Sequence, residues 1–175
     1  MYLVLWITDF ARKGVLQDND EAKTVYKNIM VLGVIATAIC LPLIGKMVDL
    51  IPASIFVPVS FLIRGVLIYQ FEVIQDPRSK VSTVICVAVI LASSLQFISI
   101  HTYFMRSLPN AIRGTMLGVY NLFANFGIAA FTLAGGIMFD DIGPSAPFTL
   151  VSICDLAIFV LAIGLFCCRD SENKG

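Results

Sequence analysis

The sequence predicts an all-α, polytopic transmembrane helical bundle, and three observations carry that prediction. Apolar residues make up 58% of the chain and charged residues only 14%, against roughly 45–50% and about 25% in soluble domains. The mean hydropathy is +0.90. The charges gather in short clusters, at 18–27, 76–80, 106–113, 140–141 and 169–174, and the stretches between them are apolar and long. A chain of 175 residues can build a core, but a soluble core has no room for this much apolar surface. The remainder takes lipid as its solvent, so the bilayer is the first partner and the protein is multi-pass.

The elements follow in order. The apolar run 1–10 is too short for a span of about 20 residues. It also lacks the basic leader and small-residue cleavage site of a signal peptide. Five helices are expected next, over 24–45, 53–74, 81–105, 113–139 and 146–168. Each is long enough to cross a hydrocarbon core of about 30 Å at 1.5 Å per residue, with some tilt. The breaks come from turn chemistry: Leu50-Ile51-Pro52, Asp76-Pro77, Leu108-Pro109-Asn110 and Gly143-Pro144. Such short connections make successive helices antiparallel. The chain therefore divides into the end of a helix plus a loop (1–22), a five-helix bundle (23–170) and a polar tail (171–175).

Composition also excludes functions. Twelve basic and twelve acidic residues leave no basic surface for nucleic acid. With one histidine, and no cysteine pair at metal-ligand spacing, no metal centre is expected. Cys40, Cys86 and Cys154 read as small membrane residues. Cys167-Cys168, at a membrane boundary, is either a plain edge pair or a palmitoylation site. There is no paired intramembrane aspartate, no histidine cluster and no supported Ser-His arrangement, so the reading is not an enzyme and no cofactor is called for.

Internal similarity says more. Gly45-Lys-Met-Val-Asp49-Leu-Ile-Pro-Ala-Ser54 aligns without gaps on Gly136-Ile-Met-Phe-Asp140-Asp-Ile-Gly-Pro-Ser145, with Gly, Met, Asp, Ile and Ser coinciding. Three helices separate the copies, which places them on opposite membrane faces. A three-helix unit repeated in inverted topology is a recurring transporter architecture. The first unit then requires a helix before Thr24, and only 1–10 is available. That run is read as the end of a truncated span, with an upstream part missing.

Three stretches resemble the C-terminal half of a major facilitator superfamily transporter: Gly45-x-x-x-Asp49, Pro109-x-x-x-Arg113-Gly114-x-x-x-Gly118, and Gly135-Gly136-x-x-Phe139-Asp140-x-x-Gly143-Pro144-Ser145-Ala146-Pro147-Phe148. The resemblance implies that the five helices correspond to the family's eighth to twelfth. It implies transport of a small solute by alternating access, with an N-terminal six-helix half as partner in the same chain or a separate one. The alternative is a non-transporting membrane subunit or interaction protein derived from a half-transporter. The sequence departs from the family after Asp49, where Leu50-Ile51-Pro52-Ala53-Ser54 replaces an Arg/Lys-rich turn. Orientation also comes from the resemblance, which puts Asp49, Arg106 and Arg113 on the cytoplasmic side; the distribution of Lys and Arg does not favour it.

Candidate residues follow. Gly45 permits close helix approach, and Asp49 can meet Arg106 or Arg113 in a charge network that holds one conformation closed. Gly114, Gly118, Gly136 and Asp140 complete the motif positions. Intramembrane polar groups are costly and default to functional candidates, which singles out Gln96, His101, Asn121 and Asn125 as cavity residues. Asn121 and Asn125 share a helix face at i, i+4. Arg64 is expected to pair or snorkel, and Asp155 to cap a neighbouring helix or face the bundle. Gly127, Gly135 and Gly136 are expected at tight contacts.

Overall fold

The computed structural model describes residues 2–13, 16, 19–74 and 76–172; the side chains at 2, 19 and 167–172, including the Cys167-Cys168 pair, lie outside what is described. Its elements are α1 (Tyr2–Arg12), α2 (Asn19–Leu50), α3 (Ala53–Tyr69), a 3-10 turn (Gln70–Glu72), α4 (Lys80–Ser107), α5 (Arg113–Asp141) and α6 (Ala146–Glu172). Five of these helices are long and apolar enough to cross a membrane.

The boundaries differ from expectation where polar residues extend a helix past its apolar run. α2 begins at Asn19, inside the stretch expected to be loop. Asp20 and Glu21 occupy its first turn, where carboxylates suit the partial positive charge of a helix N-terminus, and Lys23 bonds Asp20 at 2.8 Å. α2 then runs through Pro42 to Leu50, stopping just before Pro52. α6 continues through the first two residues expected to be tail. α3 stops short, at Tyr69, where the chain tightens into the 3-10 turn. The Ser79 hydroxyl caps α4 by accepting from the Val81 N–H. The turn after α5 passes through Gly143, whose φ of +146° is open to glycine and strained for other residues. Its N–H returns to the Met138 carbonyl.

α3 and α6 form the most extensive helix pair, and α4 packs against both α2 and α3. α1 lies on α2, while α5 leans on α6. One core cluster sits at the α1 end, around Trp6, Ile7, Leu16, Ile29 and Cys86. Trp6 meets Phe10, Phe71 and Phe148 edge-on, and Phe71 stacks on Phe148 at 4.6 Å. The short first helix, which the sequence marked as a remnant, thus supplies the most buried large side chains. A smaller cluster of Ile44, Val48 and Phe56 lies at the other end, beside Asp49. By contrast α5 is exposed along most of its length, with Leu122, Phe123, Phe126 and Leu133 facing outward.

The glycines correct the sequence reading in part: of those expected at tight contacts Gly135 is buried, but the others have no close neighbour. A Cβ on Gly45, Gly127 or Gly136 would meet nothing within 4 Å. Close approach falls instead at Gly33, where a Cβ would lie 2.5 Å from Ile90 Cδ1, and at Gly65, where it would lie 3.2 Å from the Asp155 Cβ. These are the α2–α4 and α3–α6 contacts. Gly45, Gly127 and Gly136 sit on faces that this chain leaves uncovered, so the small side chain has no neighbour to admit.

Candidate gate and transport path

Alternation of direction brings the α2–α3 loop, the α4–α5 loop and the end of α6 to one membrane face. Asp49 is in the last turn of α2 and Arg106 in the last turn of α4. Arg106 Nη2 donates to Asp49 Oδ1 at 2.5 Å. The pair is open to solvent, at 68% exposure for the Asp49 side chain and 56% for Arg106. Arg113, at the first position of α5, turns away from it. Its Nη2 donates to the Leu108 carbonyl at 3.3 Å, and its buried Nε has no partner. Gly114 and Gly118 continue α5 in open surroundings. Asp140 lies at the opposite membrane end, exposed, with no ion pair among the described residues.

Phe97, His101 and Phe104 follow one another at i, i+4, i+7 and so share one face of α4. Phe97 and His101 stack at 6.0 Å. Phe104 meets Tyr120 of α5 at 5.0 Å, which carries α5 against that same face. A groove of about 640 Å³ runs between α2 and α4 and includes Thr37, Ser93, Ser94 and Phe97 in its lining. The Thr37 hydroxyl there has no partner. Of the four cavity candidates, Asn121 and Asn125 are exposed on α5 of this bundle and His101 is half-buried.

Gln96 is 3% exposed and faces away from the groove, into the seam between α3, α4 and α6. Its Nε2 lies 3.5 Å from Asp155 Oδ1. Asp155, 2% exposed, is held by two hydrogen bonds from Arg64: Nε to Oδ2 at 2.7 Å and Nη2 to Oδ1 at 2.6 Å. The Ser152 hydroxyl donates to the Gly65 carbonyl at 2.8 Å within the same seam. From the sequence Arg64 is expected to pair or snorkel and Asp155 to cap a neighbouring helix or face the bundle; neither expectation joins the two or adds Gln96. The available signal was that each is a lone ionisable residue within a span and each needs a partner.

An all-helical bundle with five helices long and apolar enough to cross a membrane and an ion pair between two helix ends on one face defines a multi-pass membrane protein. A family model described as Major Facilitator Superfamily matches residues 1–175. The chain belongs to that superfamily, whose members are transporters and not enzymes. It is also similar to the magnetosome protein MamH of Paramagnetospirillum magneticum, 34% identical over 67 residues. That match covers 38% of this chain and 15% of the relative, so the chain spans a small part of that protein. No solved structure matches it.

Proposed function

We propose that this chain is the C-terminal half of a secondary transporter that moves a small solute by alternating access, working with a six-helix N-terminal half. The observation that carries the reading is the Asp49–Arg106 bond, which ties the cytoplasmic end of α2 to that of α4. An exposed pair of this kind contributes about 0–1 kcal/mol, which suits a contact that forms in one conformation and parts in the other. The solute path runs along Phe97 and His101 of α4 and Asn121 and Asn125 of α5, beside the groove to α2. The largely exposed face of α5 is where the N-terminal half docks and closes that path.

The test uses the full-length protein in vesicles, with the solute found by an uptake screen. Asp49→Arg and Arg106→Asp should each lower uptake at least about fivefold, the low end of usual conformational coupling. The double reversal should restore part of it. Unchanged uptake in either single variant removes the gate. A natural membrane product of 19.1 kDa with no six-helix partner would replace the transporter reading with the non-transporting subunit.

A further inference from the structure

We propose that Arg64, Asp155 and Gln96 form an intramembrane clamp that fixes the rotation of α4 about its own axis. They are thereby positioning residues for the solute-facing stripe. The problem they solve is visible in the composition of α4. Residues 81–105 carry no Asp, Glu, Lys or Arg, and their polar side chains, among them Ser82, Thr83, Ser94, Ser99 and Thr102, are spread round the helix with no single apolar stripe. A helix without such a stripe gains similar apolar burial at many rotations, so hydrophobic packing alone does not choose its facing side. A polar anchor does, because only one rotation satisfies it. Buried polar groups that set register are the best attested use of such costly side chains.

The anchor has three arms. Asp155 receives two hydrogen bonds from Arg64 of α3, at 2.6 and 2.7 Å. The third arm is Gln96 of α4, whose Nε2 makes a long contact of 3.5 Å to Asp155 Oδ1 while its buried Oε1 has no partner among the described residues. The seam beneath leaves little play. Ser152, Asp155 and Leu156 recur at i, i+3, i+4 on one face of α6. Gly65 lies directly against that face, where an added Cβ would fall 3.2 Å from Asp155 and 3.3 Å from Leu156. The Ser152 hydroxyl binds the Gly65 carbonyl in the same turn. The position of Asp155 is thus set by α3, and Gln96 transmits it to α4.

The consequence reaches the path. Phe97 follows Gln96, and one residue is about 100° around an α-helix. With Gln96 held toward α6, Phe97 turns to the α2 groove, and His101 and Phe104 follow on its face. The bearing on transport rests on the path proposed above; the rotation itself is measured without any solute. Nothing in the motifs around Asp49 or Arg113 touches this clamp, so the two can fail separately.

The experiment is thiol cross-linking in a cysteine-free background, with the protein in lipid nanodiscs and a short homobifunctional methanethiosulfonate as reagent. Phe104→Cys with Tyr120→Cys should cross-link, since the native ring centroids lie 5.0 Å apart and the reagent spans the space the rings vacate. Met105→Cys with Tyr120→Cys, one residue further round α4, should cross-link poorly. In Gln96→Leu the preference for position 104 over 105 should shrink by about threefold, the factor equivalent to an average interhelical hydrogen bond of about 0.6 kcal/mol. Arg64→Met/Asp155→Leu keeps the seam apolar with no unpaired charge, and guards against simple failure to fold. It should remain helical and monodisperse yet lose the same preference. An unchanged 104-over-105 preference in either folded variant overturns the clamp.

Discussion

Two arginine–aspartate pairs hold this molecule, and they differ in almost every physical respect. Asp49–Arg106 joins two loop-facing helix ends in solvent. Arg64–Asp155 lies within the spans, with Asp155 2% exposed and Arg64 25% exposed. The first is joined by a single hydrogen bond; the second is bidentate, with the Gln96 amide 3.5 Å away as a third neighbour. In water an ion pair competes with hydration and is readily broken. Inside a bilayer a lone partner has nowhere favourable to go. The same two residue types therefore make a contact that can open in one place and one that holds helices together in the other.

The comparison breaks most visibly if one partner of the inner pair is removed. Asp155→Asn or Arg64→Met should destabilise the protein by about 3–5 kcal/mol by leaving its partner uncompensated. Replacing both by Met and Leu should restore most of that loss. Thermal unfolding in nanodiscs reads the difference, and equal losses in single and double variants would deny the pair its membrane-interior character. Next in size is Gly65→Val, which forces atoms into the α3–α6 seam where a Cβ already meets Asp155 at 3.2 Å. Overpacking of this kind costs about 1–3 kcal/mol. The matching change at the outer pair, Gly45→Ala, meets nothing within 4 Å. It should leave stability unchanged or raise it by about 0.5–1 kcal/mol, as alanine does inside a helix.

Smallest is the loss of the outer pair itself. Asp49→Asn or Arg106→Gln should shift stability by no more than about 1 kcal/mol, and the shift should vanish in about 1 M salt, where the screening length falls to about 3 Å. The inner-pair variants should keep their deficit at the same salt concentration. A salt-insensitive Asp49–Arg106 contribution would erase the distinction between the two sites.

Much of the fold was legible because the signals that set it are local. Five long apolar runs broken by Pro, Gly, Asp and Asn make five spanning helices, and alternation of direction alone places Asp49 and Arg106 on one face. The helix ends were less legible. Asn19 to Lys23 is polar, yet its acidic first turn and Asp20–Lys23 bond carry α2 well beyond the apolar run. The fragmentary look of residues 1–10 also concealed that Trp6 and Ile7 anchor a core cluster. Their partners Phe71 and Phe148 are far away in sequence.

The sequence by itself determined the solvent of this protein, its all-helical class, its five spanning helices and which loops share a membrane face. Hydropathy and turn chemistry act over a few residues, and a bilayer forces the backbone of each span to satisfy itself as a helix. What only the tertiary structure decided is which way each helix faces. α4 spreads its polar side chains round the helix and carries no stripe from which to read its inner side, so Gln96 could be expected in the cavity when it lies against Asp155. The Arg64–Asp155 pair joins positions 91 apart, and the close approach belongs to Gly65 and not Gly45. Both follow from how α3 and α6 meet, which no local pattern encodes.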